Sequence, residues 1–300
     1  MMDFRPITLE KRDQFNEYIT KNNCHNSEAS FANMYMWQPS WDIRMYADPG
    51  ALFLSMGSDQ YRYFLFPPHL RDPEEEIGRY MLMCEEYMQD TYGDFFLKGA
   101  TQRVMDKINA DCPGRYEFRH DAYNSEYIYN ASDLMELKGK KYHSKRNHIN
   151  TFLKNYTPVF EEYTPKYREE CIAIQQAWSA EKEENERDAV EEMESITRAL
   201  DHYEYLGLKG CVVRIDGEVA AFSFGEQVCD NVVIIHIEKA KSGFGGLYAY
   251  INREFVANFW SHCKYINREE DMGVPGIRKA KQSYRPAFML DKYDVTLAKG

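Results

Sequence analysis

Hydrophobic residues recur along the chain in two periods, one typical of amphipathic helices and one typical of half-buried strands. In the first part of the chain, two predicted helices lead into three short strands joined by tight turns, and a helix, strand, helix and strand follow. The predicted helices span residues 10–22, 27–38, 73–89 and 101–109, and the predicted strands span residues 42–47, 51–56, 61–66, 94–99 and 115–120. This mixture predicts an α+β fold.

The same order of elements returns in the second part of the chain. The dipeptide Asp216-Gly217, between two apolar segments, is a strong hairpin signal. The predicted helices span residues 165–178, 189–200, 245–260 and 276–284, and the predicted strands span residues 210–215, 218–228, 231–240, 264–269 and 288–295. Corresponding turns and strands lie about 170 residues apart, as a duplicated unit requires. The alternative is a coincidence between two ordinary stretches of helix and strand.

The repeated order of helices, antiparallel meander, helix, strand, helix and strand resembles the fold of the acetyl-CoA-dependent N-acetyltransferases. The resemblance implies two tandem acetyltransferase-like (GNAT-like) units, an N-terminal half at residues 1–135 and a C-terminal half at residues 136–300 that carries the candidate active site. No linker rich in Pro, Ser or Gly divides the halves, so we expect them to pack as one body. The resemblance also implies that an acyl donor binds where two neighbouring strands splay apart.

Composition narrows the class of protein. The chain has 300 residues, of which 44% are hydrophobic, and its apolar runs, such as residues 232–235, are far shorter than a membrane span of about 20 residues. The N-terminus becomes charged within a few residues, so we expect a cytoplasmic protein without an integral membrane segment. Seven scattered cysteines without a Cys-x-x-Cys motif favour reduced thiols, and we expect no metal requirement.

The net charge of −11 disfavours broad nucleic-acid binding, but residues 137–156 hold six Lys and Arg residues and no acid. From Ser144 onward this basic segment has helical spacing, with Lys145 and Arg146 away from its apolar side. Such a cluster can bind phosphates. The alternative is a solvated helix face that pairs with acids such as those at residues 181–188.

A strand joins a helix through Gly243, Gly245 and Gly246, and backbone N–H groups at such a helix start can receive a phosphate or carboxylate. His236 and Glu238 share one face of that strand because they are two residues apart. A polar pair at the end of an apolar strand predicts the wall of a cleft. The alternative is a histidine whose hydrogen bonds are satisfied within the core.

A further polar segment follows the next predicted strand. Alternation predicts Asn267, Glu269 and Asp271 on one side of the strand end, and helical spacing predicts Arg278 and Lys281 on one face of the helix that follows. Carboxylates that face cations could orient an amine or remove its proton. The alternative is a buried network of ion pairs that only fixes the corner between strand and helix.

Three motifs in these segments resemble the patterns of one bacterial family. They are KKYHSKRNHINTF, HIEKAKSGFGGLYAYINREF and YINREEDMGVPGIRKAKQSYRP, and SEASFANMYMW near the N-terminus fits the same group. The chain resembles proteins related to the C-terminal domain of phosphatidylglycerol lysyltransferase over nearly its whole length. The resemblance implies a tandem acetyltransferase-like fold, akin also to the peptidoglycan-bridge aminoacyltransferases, with an aminoacyl-tRNA donor. The lipid enzymes carry a large membrane-embedded N-terminal part that this sequence lacks, so the resemblance does not carry a lipid acceptor over to this chain. The expected acceptor is a small molecule, a peptide or a lipid.

We therefore expect an acyltransferase that moves an aminoacyl group from aminoacyl-tRNA to an amine or hydroxyl acceptor. One alternative is a coenzyme A-dependent N-acyltransferase, and another is a non-catalytic module that binds RNA or a peptide. No cofactor is expected to bind tightly, since the donor is aminoacyl-tRNA or acyl-CoA. The predicted catalytic residues are Glu269, Asp271 and Tyr284. The residues predicted to bind the donor or substrate are Lys145, Arg146, Asn147, His236, Glu238, Asn252, Asn267, Arg278 and Lys281.

Overall fold

The computed structural model describes residues 2–19, 25–181 and 186–299. The helices in these ranges are α1 (Arg12–Asn16), α2 (Phe31–Trp41), α3 (Gly78–Tyr92), α4 (Gln102–Asp111), α5 (Ala131–Glu136), α6 (His143–Asn155), α7 (Arg168–Glu181), α8 (Glu186–Asp201), α9 (Tyr203–Leu206), α10 (Leu247–Phe259) and α11 (Pro275–Gln282). The strands are β1 (Arg5–Pro6), β2 (Arg44–Ala47), β3 (Ala51–Ser58), β4 (Tyr61–Leu65), β5 (His69–Leu70), β6 (Leu97–Thr101), β7 (Tyr116–His120), β8 (Glu126–Asn130), β9 (Val159–Glu162), β10 (Lys209–Ile215), β11 (Glu218–Cys229), β12 (Val232–Ala240), β13 (Tyr265–Asn267), β14 (Phe288–Leu290) and β15 (Lys292–Leu297).

The described residues form two compact units. The first unit takes its residues from 1–126, 270–274 and 289–300. Its sheet has the order β1-β2-β3-β4-β6-β15-β7, and β5 pairs with β3. Strands β2, β3 and β4 form an antiparallel meander, after which β4 pairs with β6 in parallel at Leu65 and Leu97. Buried Phe53, Tyr80 and Phe95 belong to the apolar core of this unit.

The second unit comprises residues 127–269 and 275–288. The second sheet has the order β14-β8-β13-β12-β11-β10-β9. Strands β10, β11 and β12 are antiparallel neighbours, and Asp216 and Gly217 in the first turn have φ values of 52° and 90°. Positive φ at both central residues is what a two-residue hairpin of this kind requires, so the hairpin predicted from the sequence is confirmed.

Strands β12 and β13 pair in parallel over only three residues, from Val232 with Tyr265 to Ile234 with Asn267. Strand β13 ends there, whereas β12 continues to Ala240. The two strands therefore diverge beyond Ile234, and the opening between them lies next to the polar end of β12. Each sheet thus repeats a three-stranded meander followed by a parallel strand, which confirms the predicted α+β class. The predicted division of the chain into halves between residues 135 and 136 stays a prediction.

Three strand predictions need correction. The segment at residues 288–295, predicted as one strand, forms β14 and β15, and β15 lies between β6 and β7 of the first sheet. Strands β8 and β9 lack a predicted counterpart, although β8 occupies the position between β14 and β13. The strand predicted at residues 264–269 ends at Asn267. These errors share a cause, since partners distant in the sequence decide which short segments pair.

The structure also bears on the expectations about the cysteines and about membrane-spanning helices. Five described cysteines are free, namely Cys84, Cys112, Cys171, Cys211 and Cys263. Cys229 is in a disulfide, so the prediction of reduced thiols is wrong there, because spacing along the sequence does not report which sulfurs meet in space. Cys24 and the end of the first predicted helix, at residues 20–22, lie outside the described ranges.

Across the described helices, none combines the length and the apolar character that a membrane span needs.

Candidate active site

A cluster of buried polar side chains lies beside the opening between β12 and β13, within the second unit. Glu238 on β12 is at its centre: one carboxylate oxygen accepts a hydrogen bond from Arg268 at 3.0 Å, and the other accepts one from the Asn252 amide at 3.1 Å. The side chains of Glu238 and Arg268 are only 8% and 14% exposed. An ion pair with so little water around it depends on these hydrogen bonds to offset the cost of desolvation.

Helices α10 and α6 supply Asn252 and Lys145 to this cluster, and a glycine allows the two helices to approach each other. Helix α10, which carries Asn252, begins after Gly246, whose φ is 98°. A Cβ atom at Gly246 would lie 2.4 Å from the backbone oxygen of His148 on α6. Only glycine fits this position, because any side chain would push α10 away from α6. The Gly-rich loop predicted from the sequence therefore has a packing role.

Helix α6 contributes Lys145, whose ammonium nitrogen lies 3.7 Å from the centre of the Tyr284 ring. The Arg268 guanidinium carbon lies 5.1 Å from the centre of the same ring. Burial lowers the pKa of Lys145 to about 8, with the charge of Arg268 acting in the same direction and that of Glu238 opposing it. A substantial fraction of Lys145 is thus neutral near pH 8, and a neutral amine can accept a proton.

Two tyrosine hydroxyls hold the backbone at and near Tyr284 in place. The Tyr142 hydroxyl donates to the backbone oxygen of Tyr284 at 3.0 Å, and the Tyr129 hydroxyl donates to that of Lys281 at 2.8 Å. Burial raises the pKa of Tyr284, so its hydroxyl stays protonated under physiological conditions. Tyr284 can therefore donate a hydrogen bond, but it is a poor base.

Two buried polar atoms in this cluster have no hydrogen-bond partner among the residues that the structure describes. They are the second guanidinium nitrogen of Arg268 (NH1), a donor, and the amide oxygen of Asn252, an acceptor. An unsatisfied buried group of this kind costs about 1–3 kcal/mol. A ligand that offers an acceptor to Arg268 and a donor to Asn252 would recover that cost, so the pair indicates a binding site.

His236, two residues before Glu238, forms a separate cluster. Its Nδ1 lies 2.9 Å from Glu269, and its Nε2 lies 3.2 Å from Glu226. Burial opposes the charged imidazole, but the hydrogen bonds and charges of the two carboxylates outweigh burial and raise the pKa of His236 to about 9. His236 is therefore charged at neutral pH and held between two acids.

Glu269 reaches His236 because the chain leaves the strand conformation. Its φ is 56°, in the left-handed region, so the alternation predicted for Asn267, Glu269 and Asp271 stops at Asn267. The Asn267 side-chain oxygen accepts from the Glu269 backbone N–H at 2.7 Å. Asp271 accepts from the Gly273 backbone N–H at 2.9 Å and belongs to the first unit. The expectation that these acids share one strand face is wrong for this geometric reason.

Some side chains of the basic segment and of α11 lie at the cluster around Glu238, and others make contacts elsewhere. Arg146 donates to the backbone oxygens of Leu137 and Gly139, which follow the end of α5, and the Asn147 amide lies 3.0 Å from His143 Nε2. The Lys281 ammonium donates to the backbone oxygen of Arg268 at 2.5 Å, which places it beside the cluster. Arg278 is half-buried on α11. Of the acids at residues 181–188, those at 182–185 lie outside the described ranges.

Of the predicted site residues, the structure brings Lys145, Glu238, Asn252, Lys281 and Tyr284 together. The catalytic and binding roles assigned to all twelve residues stay predictions. Sequence reasoning gave no role to Arg268, whose partner Glu238 lies 30 residues away in the chain. The sequence signal for Arg268 was that a cation follows a short apolar strand, and this signal alone is too weak to predict a site residue.

The sequence family of the phosphatidylglycerol lysyltransferase C-terminal domain matches residues 21–296. The chain belongs to this family. The family resemblance stated from the motifs is thereby confirmed. A curated relative, an uncharacterised protein of Mycoplasmoides gallisepticum, is 25% identical over 183 residues. That match covers 59% of this chain and only 57% of the relative.

Solved structures share the fold of this chain. A conserved protein of unknown function from Bacteroides thetaiotaomicron is 31% identical, with a TM-score of 0.91 over 99% of this chain and 100% of that one. The C-terminal domain of a putative lysylphosphatidylglycerol synthetase from Agrobacterium fabrum is 13% identical, with a TM-score of 0.66 over 96% and 93% of the two chains.

A tandem GNAT protein from the clavulanic acid biosynthesis pathway is 8% identical, with a TM-score of 0.52 over 100% of this chain and 99% of that one. This likeness concerns the fold alone, and it confirms the tandem acetyltransferase-like architecture. Family and fold together relate the chain to acyltransferases in general.

Proposed function

We propose that this protein transfers an aminoacyl group from aminoacyl-tRNA to an amine or hydroxyl acceptor, and that the cluster around Glu238 and Arg268 is where it does so. The observation that carries the proposal is that, among the residues the structure describes, one buried nitrogen of Arg268 and the buried amide oxygen of Asn252 have no hydrogen-bond partner, although both residues donate to Glu238. A donor and an acceptor left open in one buried cluster suit a ligand that has both a carbonyl oxygen and an ammonium group.

An aminoacyl ester has both groups. Its α-ammonium can donate to the amide oxygen of Asn252 and to the Glu238 carboxylate, while its carbonyl oxygen accepts from Arg268. An acetyl group lacks the ammonium and would leave the acceptors of the cluster unused. The arrangement therefore favours an aminoacyl donor over an acetyl donor.

The reaction forms one bond to the acyl carbon and breaks another. The acceptor nitrogen or oxygen attacks the carbonyl carbon, and the ester bond to the terminal ribose oxygen of the tRNA breaks. Neutral Lys145 takes the proton of the acceptor and passes it to the leaving ribose oxygen. Arg268, with the Tyr284 hydroxyl as a second donor, stabilises the negative charge that develops on the carbonyl oxygen.

Coenzyme A is the second candidate donor. Beyond Ile234 the β12 strand has no β13 partner, and in acetyltransferase-like folds such a divergence of strands is where an acyl donor is expected to bind. This opening supports either donor, so the choice between them is left to binding experiments. A third outcome, binding without transfer, corresponds to a non-catalytic module.

The first test is binding of bulk charged tRNA at about 50 mM and about 200 mM salt, with coenzyme A and acetyl-coenzyme A as competitors. Tight, salt-sensitive binding that coenzyme A leaves unchanged supports aminoacyl transfer. Saturable coenzyme A binding without tRNA binding would replace the proposal with an acetyl-type donor. Binding of tRNA without release of the aminoacyl group to any amine or hydroxyl acceptor would favour the non-catalytic module.

A further inference from the structure

A cavity of about 340 Å³ lies within the first unit, and none of its described lining residues belongs to the cluster around Glu238. The apolar part of its lining comes from Phe66, Pro67, Pro68, Val104, Met289 and Leu290. An apolar cavity of about 150 Å³ is enough to hold a benzene molecule. This cavity therefore has room for an aromatic ring together with a short polar group.

Two buried polar atoms of the lining have no hydrogen-bond partner in the part of the chain that the structure describes. They are one carboxyl oxygen of Glu28 (Oε2) and one ring nitrogen of His69 (Nε2). His69 is only 6% exposed, and a buried polar group without a hydrogen bond is unfavourable. A ligand that forms hydrogen bonds with both atoms would remove this cost, so the two atoms indicate a binding site.

The polar and apolar parts of the lining are close enough for one small molecule to contact both. A Cβ atom at Gly99, another lining residue, would lie 3.2 Å from the Phe66 ring and 3.4 Å from Oε1 of Glu28. One carbon atom at this point would therefore touch the aromatic ring and the carboxyl group together. Because glycine has no side chain, this space stays open for a ligand.

The carboxyl group of Glu28 can act as a hydrogen-bond donor. Burial raises the pKa of Glu28 to about 7; the charge of Lys292 opposes this shift and that of Glu126 adds to it. A large share of Glu28 is therefore protonated at neutral pH. Oε1 accepts a hydrogen bond from the Lys292 ammonium at 2.5 Å, and an ammonium group offers only donors. The proton of Glu28 therefore resides on Oε2, the oxygen without a partner.

The other titratable groups of the lining leave it close to neutral. Burial lowers the pKa of His69 to about 4 and also lowers the pKa of His25, so both rings are uncharged at neutral pH. Arg103 and Asp291 carry opposite charges. A charged ligand would lose its hydration here without meeting an excess of the opposite charge, so the lining favours an uncharged ligand.

We propose that this cavity binds an uncharged alcohol whose apolar part is about the size of an aromatic ring. The hydroxyl accepts a hydrogen bond from protonated Glu28 and donates one to Nε2 of His69. A hydroxyl also suits the ionised form of Glu28, because it can then donate to the carboxylate and accept from the other tautomer of His69. The apolar part packs against Phe66 and the two prolines that follow it.

Ligand-observed NMR titration of the whole protein with 2-phenylethanol tests this proposal. Three matched probes each change one property: benzyl methyl ether is an isomer without a donor, 2-phenylethylamine is a cation, and phenylacetate is an anion at neutral pH. We expect saturable binding of 2-phenylethanol and about tenfold weaker binding of the other three, because each loses a hydrogen bond or buries an unmatched charge. Absence of saturable binding, or equally tight binding of any of the three probes, would overturn the proposal.

Variants of Glu28 separate its hydrogen bond from its charge. Glu28→Gln keeps an acceptor for Lys292 and a donor for the ligand hydroxyl, so it should bind 2-phenylethanol within about twofold of the wild type. Glu28→Met keeps the length of the side chain but removes both groups, and it should bind about tenfold more weakly. A tenfold loss in Glu28→Gln would show that the site needs a carboxylate, which contradicts the proposal.

A change in the apolar lining places the ligand in the cavity. Val104→Phe keeps all charges and hydrogen-bonding groups but narrows the cavity, so it should also weaken binding of 2-phenylethanol. Leu82→Phe, at an exposed position of α3 in the same unit, is the control and should bind as the wild type does. If Glu28→Met fails to fold, Val104→Phe decides, and undiminished binding by either folded variant contradicts the assignment.

Discussion

Glu238 on β12 accepts a hydrogen bond from Arg268 at 3.0 Å across the opening between β12 and β13. A buried ion pair adds little to stability, since removing two charges from water costs about as much as their attraction returns. This pair also leaves one guanidinium nitrogen without a partner among the described residues. The geometry is explained by a prepared binding site better than by a stabilising contact. Predictions follow from this pair, from the cluster around His236 and from the cluster around Lys292 in the first unit.

Replacing Arg268 with lysine should separate its charge from its hydrogen-bond geometry. Arg268→Lys keeps a cation near Glu238 but loses the second nitrogen of the guanidinium group. We expect the rate of aminoacyl transfer to fall about 10²–10³-fold, as when one donor to a developing oxyanion is removed. Single-turnover kinetics with charged tRNA measures this loss.

The matched control for that change is Arg214→Lys, because Arg214 is in the same unit and pairs with Glu161 in a more exposed position. It should transfer at the wild-type rate. Thermal unfolding of both variants shows whether each is folded. Equal rates for Arg268→Lys and the wild type would exclude Arg268 from the reaction.

The transfer rate should depend on the protonation of Lys145. Because the pKa of Lys145 is lowered to about 8, kcat/KM should rise with pH and level off above an apparent pKa near 8. Lys145→Arg should be slower and should lose this inflection, since arginine stays charged. Lys154→Arg, on the exposed face of the same helix, should keep the wild-type profile. An unchanged inflection in Lys145→Arg would assign the proton transfer to another group.

His236 should make the stability of the protein depend on pH in a defined window. Its pKa is raised from 6.5 to about 9, so its stabilising effect is complete below pH 6.5 and is lost as the pH rises towards 9. The loss should be on the order of 3 kcal/mol in the free energy of unfolding, at 1.36 kcal/mol for each unit of pKa. Urea unfolding of the wild type and of His236→Gln measures it, and the variant should show a smaller loss over this window. Parallel losses would mean that other groups dominate.

Local signals in the sequence were enough for the elements whose neighbours along the chain are also their neighbours in space. Asp216-Gly217 predicted the β10–β11 hairpin, and a continuous apolar run predicted β12. Strands β14 and β15 were merged because nothing local to residues 288–295 indicates that its two ends pair in different sheets. Lys145, Glu238 and Tyr284 were each predicted as site residues from their own segments. Their contacts with Arg268 could not be predicted, because those contacts depend on how β12 and β13 diverge.

The buried cations and acids of the first unit should respond unequally to mutation. Lys292→Met removes the buried ammonium that contacts the carboxylates of both Glu28 and Glu126, so it should lower the free energy of unfolding by about 3–5 kcal/mol. Glu28→Gln leaves a balanced pair and should cost far less. Lys107→Met, which removes a contact to the backbone oxygen of Pro73, is the control for loss of a lysine in the same unit. Chemical denaturation of the three variants ranks them, and a Glu28→Gln loss as large as that of Lys292→Met would contradict the prediction and show that folding needs the Glu28 carboxyl as much as the Lys292 ammonium.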